Sequence, residues 1–243
     1  MGHPDFTGNW VLATDNWFMT WIKICGMTNL EDALVAVEAG ADAVGFVFYE
    51  KSPRCVSVEV AREIVAKLPE EVEKVGVFVD ADCDRIRSVV LQAGLTAVQL
   101  HGKRSMDSVW QDARSAIECI GVSKLIPMIP GNALKDGGIL ISERVHERTF
   151  AVLIDSQVNG MSGGTGAVWD WEATHGMVQS LGFRMPVIVA GGLTPANVRE
   201  AVALFQPFGV DVASGVETRP GKKDAEKVRA FVRAARGMDR RTS

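Results

Sequence analysis

The sequence predicts a single closed (β/α)8 barrel of the TIM type, and three observations predict it. Short, β-branched apolar runs recur along the chain with amphipathic stretches of helical period between them. About eight such units fit into about 220 residues, the usual size of this barrel. Most of the short runs are apolar nearly throughout rather than alternating, as strands covered on both faces are. The alternative is an open, doubly wound sheet, which would normally carry a glycine-rich dinucleotide loop after an early strand; none is present.

The first strand is expected from Trp21 to Cys25, "WIKIC", and ends in a thiol directly before Gly26. Thr28 and Asn29 offer a cap for the helix that follows, over Asn29 to Ala39. The second strand runs from Ala43 to Phe48 and leads through "FYEKSPRCVS" into a helix over Val58 to Lys67. The third, Lys74 to Val79, stops at Asp80, before a helix from Asp84 to Ala93. Ala97 to Leu100 is the fourth strand, in "VQLHG", and Lys124 to Ile129 the fifth, in the stretch "IECIGVSKLIPMIPGNALKDGGIL", which permits more than one register. The sixth strand, Phe150 to Ile154, delivers Asp155; the seventh and eighth are Pro186 to Ala190 and Val210 to Ala213, and a helix over Ala225 to Ala235 closes the series.

No linker, low-complexity stretch or shift of composition divides the chain, so one domain is expected over residues 19–236, with a short tail at 237–243. Residues 1–18 contain no Lys or Arg, which removes both the basic start of a secretory signal and the arginines of a transit peptide. They are expected to be an addition ahead of Met19, either a genuine extension or an expression remnant. No apolar run approaches the roughly twenty residues that cross a bilayer, and no membrane partner is expected. A formal net charge of -4 spread over 23% charged residues leaves no basic cluster for nucleic acid or a lipid surface. Cys25, Cys55, Cys83 and Cys119 are widely spaced and form no CxxC, which speaks against a disulfide framework or a thiolate zinc site and for the reducing cytoplasm. The four histidines, His3, His101, His146 and His175, include no close pair, and no metal is expected.

In such barrels the chemistry collects on the loops after the C-terminal ends of the strands. Gly191-Gly192 after the seventh strand and Ser214-Gly215 after the eighth bring small residues to the two loops that form the phosphate site of many barrels. They are read as an anion cradle, hence a phosphorylated substrate, against the alternative that they only permit tight turns. Cys25 shares a strand face with Lys23, whose ammonium can lower a thiol's pKa and suit it to work as base or nucleophile. The competing reading of Cys25 is a small core hydrophobe. Asp155 is a candidate acid, or else a cap. Arg54 is a fork suited to a carboxylate, or else an idle loop arginine. His101 either faces the site or satisfies the rim.

"KICGMT", "GADAVGFVFYEKSPRCVS", "VGVFVD", "VQLHG", "LIDS…GGTG…DW", "VIVAGGLTPANV" and "GVDVASGVE…PGKKD" stand in this order from Thr20 to Arg236. As a set they resemble the phosphoribosylanthranilate isomerase family of tryptophan biosynthesis. The resemblance implies a barrel of the ribulose-phosphate-binding type and a cofactor-free Amadori rearrangement of a small phosphosugar, by a monomer or homodimer. It implies Cys25 as the general base that takes the C2' proton and Asp155 as the general acid that protonates the furanose ring oxygen. Arg54 would hold the anthranilate carboxylate, Gly191, Gly192, Ser214 and Gly215 the phosphate, with Lys23, His101 and Gly164 as further substrate contacts. Two features depart from the family: Glu50 stands where proline is common, and residues 1–18 have no counterpart. Trp169 and Trp171, flanking Asp170, suit either the substrate ring or helix packing. The nearest alternatives are another phosphosugar barrel, such as ProFAR isomerase or a ribulose-phosphate epimerase, and a noncatalytic phosphosugar-binding module. The first would carry aspartate at position 25 and the second metal-binding His and Asp, whereas retention of Cys25, Arg54 and Asp155 together argues against the module.

Overall fold

The computed structural model describes residues 3–4, 10–11, 19–102, 124–131, 149–155 and 171–237. Eight parallel strands close into a barrel: β1 (Trp21–Cys25), β2 (Ala43–Val47), β3 (Glu73–Val79), β4 (Ala97–His101), β5 (Lys124–Pro130), β6 (Val152–Asp155), β7 (Val187–Val189) and β8 (Gly209–Val212). They pair in chain order, and β8 returns to β1 with Asp211 opposite Lys23. Each expected strand is therefore present. The widest offset is at β6, where Phe150 lies below the ladder: its ring packs edge-on against Trp21 and Phe208, at centroid distances of 5.8 and 5.6 Å, and helps plug the N-terminal mouth.

The described helices are α1 (Leu30–Glu38), α2 (Val58–Val65), α3 (Cys83–Ala93), α4 (Trp171–Gly182), α5 (Val198–Phe205) and α6 (Ala225–Ala235). Their starts follow from capping chemistry, worth about 1 kcal/mol each. Asn29 accepts from the Asp32 N–H, Ser57 from Val60, Asp82 from Arg85, and Asp224 from Glu226 and Lys227. Thr28, expected to share the capping of α1, instead donates its hydroxyl to the Gly221 carbonyl at 2.5 Å. None of these helices is long and apolar enough to cross a membrane. A two-residue antiparallel pair, His3–Pro4 with Trp10–Val11, is described ahead of the barrel.

Two apolar layers hold the barrel. The outer one packs alternate strand residues such as Ile22, Ile24, Phe46, Phe78 and Ile154 against the helices. The inner one fills the lower barrel with Ala43, Val75, Ala97, Met128, Leu153 and Ile188. Above it the interior turns polar, with Lys23, Gln99 and Asp211, and that change of layer prepares the C-terminal rim. At the opposite end Arg236 ties the end of α6 to the start of the barrel through the Thr20 carbonyl at 2.7 Å and Asp42 at 2.8 Å.

Candidate active site

Strand alternation decides what faces the interior. Trp21 belongs to the inner layer, so Lys23 and Cys25 on the same face of β1 point inward. Leu153 is inner as well, and Asp155, two residues on and the last of β6, points the same way. Ala97 likewise turns Gln99 and His101 of β4 inward. Cys25, Asp155 and His101 thus come together at one rim, on strands that surround a common axis.

Cys25 is 7% exposed and packs with Val47, Val77, Tyr49 and Ala213. Burial pushes its thiol above the ordinary value, outweighing the pull of Lys23 and the smaller pull of Lys223. This differs from the expected lowering: loss of water costs the thiolate more than the ammonium returns, and Asp211 adds a smaller push in the same direction as burial. The Lys23 ammonium, 0% exposed, is bound to Asp211 at 2.7 Å inside the barrel, on the same strand face as the sulfur. Its charge is largely compensated before it reaches the thiol. Lys23 is thus the interior counter-ion of Asp211. The Gln99 amide donates to His101 Nε2, which leaves the ring proton on Nδ1 without an acceptor among the described residues. Burial, reinforced by Lys23, pushes that imidazole down to about 4, so it is neutral at pH 7.

Arg54 is not an idle loop side chain. It is 9% exposed and makes a bidentate pair with Glu217, Nε to Oε1 at 2.9 Å and Nη2 to Oε2 at 2.8 Å. Lys223 joins the same carboxylate at 2.9 Å. Two cations on one carboxylate leave this cluster with one net positive charge, which a lone Arg–Glu pair would lack. Arg54 Nη1 has no partner among the described residues and remains able to meet an anion. The aliphatic stem of Arg54 lies across Gly26, where φ is +82° and an added Cβ would fall 2.7 Å from Arg54 Cδ. Gly26 is therefore needed both for its left-handed backbone and for the arginine above it.

Glu217 and Lys223 sit on a hairpin, β9 (Glu217–Arg219) with β10 (Lys222–Lys223), that crosses the rim from β8 toward β1. Lys222 pairs with Asp32 at 2.6 Å, the Lys223 N–H donates to the same carboxylate at 2.7 Å, and Gly221 receives Thr28. The "PGKKD" motif is thus a strap over the loop of Cys25. Glu50 is exposed, and the Tyr49–Ser52 turn that leads to Arg54 is closed by a backbone hydrogen bond. Replacing Glu217 by Gln should free the guanidinium from its clamp. We expect KM to rise roughly tenfold with kcat little changed, equivalent to about 1.4 kcal/mol of lost ground-state binding; an unchanged KM in steady-state kinetics contradicts the positioning of Arg54 by Glu217.

The glycine loops have a built shape. Gly191 and Gly192 take φ of +84° and +69°. Asn197 holds that loop, accepting from the Thr194 N–H at 2.7 Å and donating to the Gly192 carbonyl at 3.0 Å. The N–H groups of Gly191 and Gly192 have no acceptor among the described residues. Those of Ser214 and Gly215 precede the first internal bond of the short 3-10 turn Ser214–Val216, as the opening N–H groups of any helix do. Gly215 has a further reason, since any Cβ there would collide with the Leu193 carbonyl oxygen. The two loops touch backbone to backbone, and only glycine permits it. Gly164, Asp170 and Trp169 lie outside the described residues. Trp171 packs against Phe205 at 5.8 Å in the outer layer, on the helix-packing side of its two readings.

Glu217, Lys223 and Asp211 were missed as site residues by sequence reasoning. The signal for Asp211 was available, since it is a lone acid inside the apolar run "GVDVA". No group of three or more His, Cys, Asp or Glu that could hold a metal occurs among the described residues.

Comparison with known proteins shows the family the chain resembles. The family model described as N-(5'-phosphoribosyl)anthranilate isomerase matches residues 22–234. A protein of that name from Thermotoga neapolitana is 43% identical over 220 residues, covering 90% of this chain and 100% of its own length. Among solved structures, a phosphoribosyl anthranilate isomerase in complex with reduced 1-(o-carboxyphenylamino)-1-deoxyribulose 5-phosphate is 38% identical, with a TM-score of 0.70 over 90% of this chain and 100% of that one. Monomers derived from the dimeric enzyme of Thermotoga maritima are also 38% identical, with a TM-score of 0.69 and the same coverage.

Proposed function

The chain belongs to the N-(5'-phosphoribosyl)anthranilate isomerase family, and from that premise we propose how its own residues perform the family's reaction. It converts N-(5-phosphoribosyl)anthranilate into 1-(2-carboxyphenylamino)-1-deoxyribulose 5-phosphate in tryptophan biosynthesis. Asp155 gives a proton to the furanose ring oxygen as the C1'–O bond breaks, which leaves a protonated imine between C1' and the anthranilate nitrogen. Cys25, as thiolate, then takes the proton from C2', and the electron pair of that C–H bond neutralises the imine as an enolamine. Ketonisation moves the 2'-hydroxyl proton to C1', so the overall change is redox-neutral.

The anions at the two ends of the substrate set its orientation between these groups. The carboxylate meets the spare positive charge of the Arg54–Glu217–Lys223 cluster through Arg54 Nη1. The phosphate meets the N–H groups of Gly191, Gly192, Ser214 and Gly215. His101 offers its spare ring N–H to the sugar, and Gly164 is assigned as a further substrate contact on the resemblance of its motif alone. A monomer or homodimer in the cytoplasm is the assembly proposed, in line with the dimeric Thermotoga maritima relative.

One observation supports the reading above the others: Cys25 and Asp155 end β1 and β6 on the same rim, and both are turned inward. Fluorescence of freshly made phosphoribosylanthranilate tests it, run with the unaltered chain beside its Cys25→Ser variant. Rapid loss with the former and near-background loss with the latter is the expected result; equal rates overturn it.

A further inference from the structure

The buried ion pair beneath the thiol is built around the sulfur. Lys23 and Asp211 are register partners on β1 and β8, both inward and both buried, with Nζ and Oδ1 at 2.7 Å. Cys25 lies two residues further along the same inward face of β1. Gly45, opposite Cys25 on β2, keeps the space between them: a Cβ there would lie 2.7 Å from Sγ and 3.2 Å from Lys23 Cε. One cation, itself fully buried, therefore stands beside two largely buried groups that can each be anionic.

We propose that Asp211 is a positioning residue of the reaction: by holding the Lys23 ammonium it sets how much of that charge reaches the Cys25 sulfur, and so how readily the sulfur gives up its proton. The inference rests on the reading of Cys25 as base for its catalytic meaning, but not for its charge relation. With thiol, ammonium and carboxylate the buried trio is neutral; forming the thiolate leaves one uncompensated negative charge, which burial opposes. With asparagine at 211, the same ionisation would convert an unbalanced cation into a neutral ion pair, and burial would favour it. Other charges face the sulfur from the packed elements: Lys223 of the hairpin and Arg54 of the β2 loop, both bound to Glu217, while His101 of β4 faces Lys23 and is neutral at pH 7. They are common to wild type and variant.

The test is the pH dependence of iodoacetamide modification, followed on the Cys25 peptide by mass spectrometry, alongside the pH dependence of kcat/KM. Asp211→Asn should lower the modification midpoint by at least about one pH unit, the scale of a neighbouring-charge effect, and carry the rising limb of kcat/KM with it. Asp211→Glu should restore both toward wild type. A purely structural role would lower activity without moving either midpoint, and an unmoved or raised modification midpoint overturns the inference. The Lys23→Met/Asp211→Asn double variant leaves no buried charge in excess and covers the case in which Asp211→Asn does not fold. Its midpoint should lie above that of wild type, because the ammonium is gone; an equal or lower one contradicts the inference. Modification reads the thiol without turnover, so a shifted midpoint together with a fully active Cys25→Ser protein would remove Cys25 from catalysis while supporting the charge relation.

Discussion

Replacing Cys25 by serine is expected to lower kcat by about 10²–10⁴-fold, the contribution of a positioned base, while binding of a phosphate-bearing ligand is largely kept. The hydroxyl is a far weaker acid than the thiol, so no anionic base forms near neutral pH. The packing barely changes, because serine fits the space that Gly45 leaves and the Lys23–Asp211 pair remains beside it. The proposed anion cradle lies on the loops after β7 and β8, whereas Cys25 ends β1. The wild-type pH profile carries the same cause. Since burial raises the Cys25 thiol, the thiolate fraction is small at neutral pH, and kcat/KM should climb with pH through that raised value. Steady-state kinetics beside ligand titration reads both parts; near-normal kcat in the serine protein contradicts the role of the sulfur.

Asp155→Asn is expected to cost a comparable factor, about 10²–10⁴ in kcat, with KM little changed. Asparagine keeps the shape of the side chain at the end of β6 but has no acidic proton for the ring oxygen, so the C1'–O bond must break toward an unassisted alkoxide. The loss should fall on ring opening, ahead of the C2' step. Substrate deuterated at C2' separates the two: any isotope effect seen with the unaltered chain should shrink in Asp155→Asn, because ring opening then limits the rate. An unchanged kcat in the asparagine protein removes Asp155 from acid catalysis.

The two residues at the centre of this account were legible in the sequence for a physical reason. Strands covered on both faces read as continuous apolar runs, so "WIKIC" and "AVLID" show at once where a strand ends and which reactive group it delivers. The ion pair of Lys23 was not legible, because alternation tells which way a side chain points but not what waits there. Its partner lies 188 residues away on β8, and only closure of the barrel brings the two together. Arg54 and Glu217, 163 residues apart, repeat the lesson. The need for small residues at Gly26 and Gly215 was visible, but its cause was not: an arginine stem crosses one, and a neighbouring loop's carbonyl presses on the other. Phe150 shifted the apparent start of β6 because an aromatic that plugs the barrel floor carries the same apolar signal as a strand residue.

The central claim is that one pentose lies between the Cys25 sulfur and the Asp155 carboxylate. A crystal structure with the reduced product analogue bound tests it most directly. Sγ should stand about 3.5 Å from the C2' carbon, with the Asp155 carboxylate hydrogen-bonded to the 4'-hydroxyl that was the ring oxygen. A bound sugar that leaves either group turned toward another part of the barrel contradicts the account.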